Sequence, residues 1–113
     1  MIEKYQFGSI KIDGQEFQED IFIDLESKVN SWRRKRSHTF EKGDVEKFLK
    51  KQPKMAVFGT GEYGAAQLAE DLRDFFQEKG IELIAKPTNQ AIKDYNQAKE
   101  QGREVVAFFH LTC

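Results

Sequence analysis

Three groups of residues have types and spacings that suit chemistry. Gly59-Thr60-Gly61-Glu62-Tyr63-Gly64 is a literal G-x-G-x-x-G. Between a strand and a helix, such a loop offers free backbone N–H groups and a helix N-terminus to a phosphate. His110-Leu111-Thr112-Cys113 places an imidazole three residues from the chain's one thiol. That pairing suggests an acid–base beside a nucleophile, with His110 and Cys113 as candidate catalytic residues. Arg33-Arg34-Lys35-Arg36, followed closely by His38, is the sole basic cluster and could clamp an anion. Two further residues join the list by position, Lys86 and Thr88. They flank Pro87, where a strand is expected to hand over to a helix.

Each group also has a plainer reading. A dinucleotide loop requires an acid ending the second strand, about twenty residues on. That strand ends in Lys86, Glu82 lies inside it, and Glu62 puts an anion where a pyrophosphate would sit. A smaller anion fits better, and a turn that simply needs glycine fits best. His110, Cys113 and His38 are too few for a metal centre, so no metal and no cofactor is expected. The basic cluster reads first as a charged loop guarding an edge strand. With a net charge of −1 and no nucleic-acid motif, the sequence speaks against nucleic acid as a partner.

The elements that must hold these residues change character near residue 41. Before it, short alternating apolar runs are punctuated by Asp13-Gly14, a strong hairpin signal. The first forty residues are therefore expected to form an antiparallel meander, with Ser27–Ser31 a turn region and Val29 and Trp32 in a third strand. After it, the apolar period becomes helical. Asp44 is expected to cap a helix carrying Val45, Phe48 and Leu49 and stopped by Pro53. Strands are expected at 55–58, 81–86 and 105–110. Helices should run from Ala65 to a left-handed Gly80 and from Pro87-Thr88 to Gly102. Phe108 and Phe109 should point to opposite, covered faces of their strand.

That order is β-α-β-α-β, whose crossovers are right-handed and whose strands are parallel. Three loops must then converge at one rim: 59–64, 86–88 and 110–113. Open parallel sheets bind ligands in the crevice outside those ends.

The whole chain has 113 residues, 39% apolar and 33% charged, with ten Phe. That is one domain's length, 1–113, with enough apolar content for a core without staples. Mean hydropathy is −0.68, and no run reaches the roughly 18 apolar residues of a membrane span. One cysteine allows no internal disulfide and suits a reducing, cytoplasmic setting.

Taken together, Phe7-Gly8, Asp13-Gly14, Asp20-Ile21, Trp32-Arg33-Arg34, His38, Gly59-Thr60-Gly61, Pro87-Thr88 with Ala91, Tyr95-Asn96, Gly102-Arg103 and His110-Leu111-Thr112-Cys113 form an ordered set. In this set the chain resembles the Mth938-like domain family over nearly its whole length. That family includes the adipogenesis-associated protein of animals and a mitochondrial complex I assembly factor. The resemblance implies a three-layer β+β/α fold, in agreement with the mixed α/β reading above, and an assembly or interaction role. It implies no reaction.

The expectation is a non-catalytic binding or scaffold domain with a crevice at the rim. Its ligand-binding candidates are Gly59, Thr60, Gly61, Gly64, Lys86, Thr88, His110, Arg33 and His38. Its expected partner is a small anion or a protein, in a monomer or weak homodimer. The alternative is an enzyme acting on a phosphate or other small anion through His110 and Cys113.

Overall fold

The computed structural model describes all 113 residues, Met1–Cys113. Its accessible surface is 6433 Å², against about 6,400 Å² expected from chain mass for a folded globule. No helix is long and apolar enough to cross a membrane.

The chain opens with strands β1 (Ile2–Gln6), β2 (Ser9–Ile12) and β3 (Gln15–Phe17), paired antiparallel in that order. Asp13 (φ 48°) and Gly14 (φ 84°) supply the two positive φ angles of the tight β2–β3 turn, so Ile12 pairs with Gln15. The meander expected for the first forty residues ends there. β4 (Ile21–Ile23) and β5 (Val29–Ser31) join a second sheet instead, with the turn between them at 24–28. The reason lies in burial: Ile21, Phe22 and Ile23 are all buried, so this strand needs cover on both faces and cannot sit in a half-wet outer layer.

The second sheet adds β7 (Met55–Thr60), β9 (Glu82–Lys86) and β10 (Val105–His110), in the order β5-β4-β10-β7-β9. β9 and β10 flank β7 and run parallel to it, as the chain order requires; β4 runs antiparallel to β10. A minimal third ladder pairs β6 (Thr39–Phe40) parallel with β8 (Gln67–Leu68).

Two helix starts differ from expectation. Helix α1 covers only Lys42–Val45 and tightens into a 3-10 turn, Glu46–Phe48. Asp44 is its third residue rather than its cap, and its carboxylate accepts the Glu41 N–H at 2.9 Å. Helix α2 runs Glu70–Lys79, not from Ala65, because 67–68 are drawn into the ladder with β6. Glu70 and Asp71 in its first turn complement the helix dipole there. Gly80 ends it in the left-handed conformation (φ 70°), and helix α3 runs Thr88–Glu100 directly after Pro87.

Alternation along β7 and β10 divides the interior in two. Val57, Val105, Ala107 and Phe109 face α3 and the β1–β3 sheet. Ala56, Phe58, Val106 and Phe108 face α2, Trp32 and Phe40. Phe108 and Phe109 are each fully buried on opposite faces. The arrangement is a mixed five-stranded sheet, with an α3-plus-β1–β3 layer on one face and α1 and α2 on the other.

Candidate functional site

The parallel strands β7, β9 and β10 do bring the three expected loops together. Thr88, at the first position of α3 and fully buried, joins them. Its Oγ1 donates to the His110 carbonyl at 2.6 Å and accepts the Gly61 N–H at 2.9 Å. Its own N–H donates to the Gly61 carbonyl at 3.0 Å, and the Glu62 N–H donates to the Thr112 carbonyl at 2.8 Å.

The glycines serve this convergence. A Cβ on Gly59 would lie 2.7 Å from the Phe109 ring and 2.8 Å from Thr88 Oγ1. On Gly61, which has φ +101°, it would meet the Thr112 carbonyl oxygen at 2.6 Å. On Gly64 it would press on the Pro87 ring at 3.0 Å. The Gly59 and Gly61 contacts are closer than real Cβ atoms make and the Gly64 contact is tight, so glycine is needed where the loop packs against Thr88, Pro87 and the chain's tail.

Gly59 and Thr60 belong to β7, and five residues separate Gly64 from the first residue of α2. The helix N-terminus that a phosphate cradle uses is therefore not at this loop. The N–H groups of Gly61, Glu62, Gly64 and Ala66 all have partners within the chain. The Glu62 carboxylate turns to the N-terminal sheet, where it accepts the Tyr5 hydroxyl at 2.8 Å. Burial, together with that carboxylate, pushes the Tyr5 phenol well above its ordinary value of 10.0.

Beside the loop lies a buried ionic cluster that the spacing did not reveal. His110 Nδ1 sits 2.8 Å from Asp20 Oδ2, and Arg34 Nη1 donates to the same oxygen at 2.6 Å. The other oxygen, Asp20 Oδ1, accepts the Leu111 N–H at 2.8 Å. Side-chain exposures of 5% for Arg34 and 4% for His110 place these two out of the solvent, while the Asp20 carboxylate, at 18%, is partly buried. The guanidinium packs over the adjoining rings of Trp32 and Phe40, at 4.6 and 4.9 Å from their centroids. It also donates from Nη2 to the Ser37 carbonyl at 2.8 Å. Burial alone would raise the Asp20 carboxyl, but hydrogen bonds from His110, Leu111 and Arg34 and the charge at His110 hold it below its usual 3.8.

Asp20 supplies the group that orients His110, which no spacing in the sequence pointed to. The second ring nitrogen, Nε2, lies 2.8 Å from the main-chain oxygen of Cys113, not from its sulfur. The imidazole is thus held at both ends, while the Cys113 residue is exposed. Two signals for this cluster were available. Arg34 follows the buried Trp32 by two residues, and Asp20 directly precedes an all-apolar run.

The remaining candidates disperse. Arg33 and His38 are exposed on the outer side of the cluster, the His38 ring standing 6.0 Å from that of His110. Lys86 is exposed and pairs with Asp94 of α3 at 2.9 Å. Lys86 does line a crevice of about 470 Å³ at the strand ends, with Thr60, Tyr63, Leu68, Arg73 and Pro87. Arg73, from the first turn of α2, makes no ion pair, and no hydrogen bond engages the Thr60 hydroxyl.

The family model described as a protein of unknown function (DUF498/DUF598) matches residues 2–110. The chain belongs to this family. Its fold is that of the Mth938-like domain. The conserved hypothetical protein PH1505 from Pyrococcus horikoshii OT3 is 30% identical, with 100% of this chain and 99% of that one covered and a TM-score of 0.88. The protein MT938 is 28% identical, with 100% and 98% covered and a TM-score of 0.85. A Bordetella pertussis protein described as a Mth938-like domain shares the fold at 19% identity, with 97% and 84% covered and a TM-score of 0.71. The Mth938-like fold therefore accounts for the layered α/β architecture.

Proposed function

We propose that this Mth938-like domain is a non-catalytic binding domain, of the assembly or scaffold kind, and that it takes an anionic group in the crevice at the ends of β7 and β9. One observation carries the reading: the acid–base and the loop amides that a catalytic mechanism would use are already engaged inside the chain, and the exposed Cys113 thiol is not hydrogen-bonded to His110. His110 is held at both ring nitrogens, and the amides of Gly61, Glu62 and Gly64 all have main-chain or side-chain acceptors. An imidazole clasped by a carboxylate and a main-chain oxygen organises structure and has no lone pair turned to a substrate.

The crevice, by contrast, presents groups without partners. Arg73 forms no salt bridge, the Thr60 hydroxyl is unengaged, and Lys86 shares its charge with Asp94. An arginine with a hydroxyl and an ammonium nearby suits a carboxylate or phosphate oxygen, which the guanidinium fork can take at two points. The exposed Tyr63 at its edge offers a flat apolar surface for whatever carries that anion.

Titration with inorganic phosphate at low ionic strength, followed by amide NMR shifts, tests this. Shifts are expected at Thr60, Tyr63 and Arg73, and Arg73→Ala should abolish them while leaving the fold intact. An unchanged response in Arg73→Ala would remove the crevice as the site.

A further inference from the structure

A second, larger cavity lies away from the rim. It opens beside Val106, the second residue of β10, between the 24–28 turn and the 47–51 segment, and has a volume of about 570 Å³. Its floor is aromatic. Phe22 is buried and stacks on Phe108 at 4.6 Å between centroids, and the half-buried Phe48 leans on Phe22 at 5.3 Å. Leu25 and Val106 complete the apolar lining.

Its mouth is cationic. Lys28, Lys47, Lys50 and Lys51 surround it, against only Asp24 and Glu26. Glu26 faces Lys51 at 3.5 Å. The Asp24 carboxylate is turned to the backbone, where it accepts the N–H groups of Glu26 and Lys28 at 2.9 and 2.8 Å. Lys47 lies over the Phe48 ring at 5.7 Å from its centroid. Lys28 and Lys50 face no carboxylate within salt-bridge distance.

An apolar floor under unpaired ammonium groups is complementary to a molecule with the same division. We propose that this cavity binds an amphiphilic organic anion, a monoanionic head on an aliphatic or aromatic body. The body covers the Phe22 and Phe48 rings and the head is met by Lys28 and Lys50. The volume falls in the range of about 300–1,000 Å³ typical of small-molecule sites. Burying the body gives the affinity, roughly in proportion to the apolar area removed from water. The lysines select the sign of the head. A cationic amphiphile of equal length is repelled, and a short carboxylate such as acetate lacks the body.

Amide NMR shifts with dodecanoate, below its micelle concentration, read the site directly. Saturating shifts are expected at residues 22–30 and 47–51, with none from acetate or from dodecyltrimethylammonium. The Lys28→Glu and Lys50→Glu double variant changes exposed residues only and should retain the wild-type melting temperature. It should weaken dodecanoate binding by about tenfold or more. Three results would each overturn the proposal. They are shifts at the rim instead of the cavity, equal binding of the cationic amphiphile, and an unchanged dissociation constant in the double variant.

Discussion

At the scale of single residues, the Asp20 carboxylate is where the two halves of the chain meet. It joins Arg34 from the N-terminal half to His110 and Leu111 from the last strand and its tail. Removing one member of a buried ionic group leaves the others uncompensated, which costs about 3–5 kcal/mol. Asp20→Asn should therefore lower the stability measured by urea unfolding by roughly that amount. The same residue sets a pH dependence. Its folded-state pKa lies below the ordinary 3.8, so its contribution is fully present above that value and is lost as pH falls through the lower, folded one. Wild-type stability should thus fall more steeply than that of Asp20→Asn between about pH 4 and more acid conditions. Parallel acid limbs for the two proteins would refute this account of Asp20.

At the scale of elements, the interlocked rim makes a different prediction. Gly61→Ala places a Cβ 2.6 Å from the Thr112 carbonyl oxygen in a backbone with φ +101°. A cost of about 1–3 kcal/mol from the backbone alone is expected, and more from the contact. The loss should be the same with and without phosphate, because the loop's amides already have partners. Most elements were legible in the sequence because periodicity reports burial: the β7, β9 and β10 order, the Asp13-Gly14 turn and the Gly80 stop are all local or topological. The start of α2 was not, since Ala65, Leu68 and Ala69 continue the spacing of Leu72 while 67–68 are claimed by β6, a partner distant in sequence. The place of β4 was signalled by its unbroken apolar run, but its partner β10 lies more than eighty residues away. The candidate site was legible as a convergence of loops and not as chemistry. Whether His110 faces a ligand or a main-chain oxygen depends on how the tail folds back, which no spacing encodes.

At the scale of the whole molecule, the two interiors share one wall. Phe108 closes the aromatic side, stacked at 4.8 Å on Phe58, and Phe109 closes the side of α3 and the small sheet. Phe108→Ala and Phe109→Ala should each cost about 3–5 kcal/mol in denaturant unfolding, with one cooperative transition retained. An unchanged midpoint for either would mean that its side is not a core. The strand that carries both follows every other strand in chain order, yet it sits between β4 and β7 in the middle of the sheet. A growing chain therefore cannot complete its sheet until residues 105–110 have left the ribosome. Until then β4 and β7 each expose an unpaired edge, the kind of surface that recruits stray strands. Residues 1–104 alone should show no cooperative unfolding, and refolding of the full chain should be slow for its size, since its central pairing is among the longest-range contacts in it. The keystone of this sheet is delivered after everything it holds.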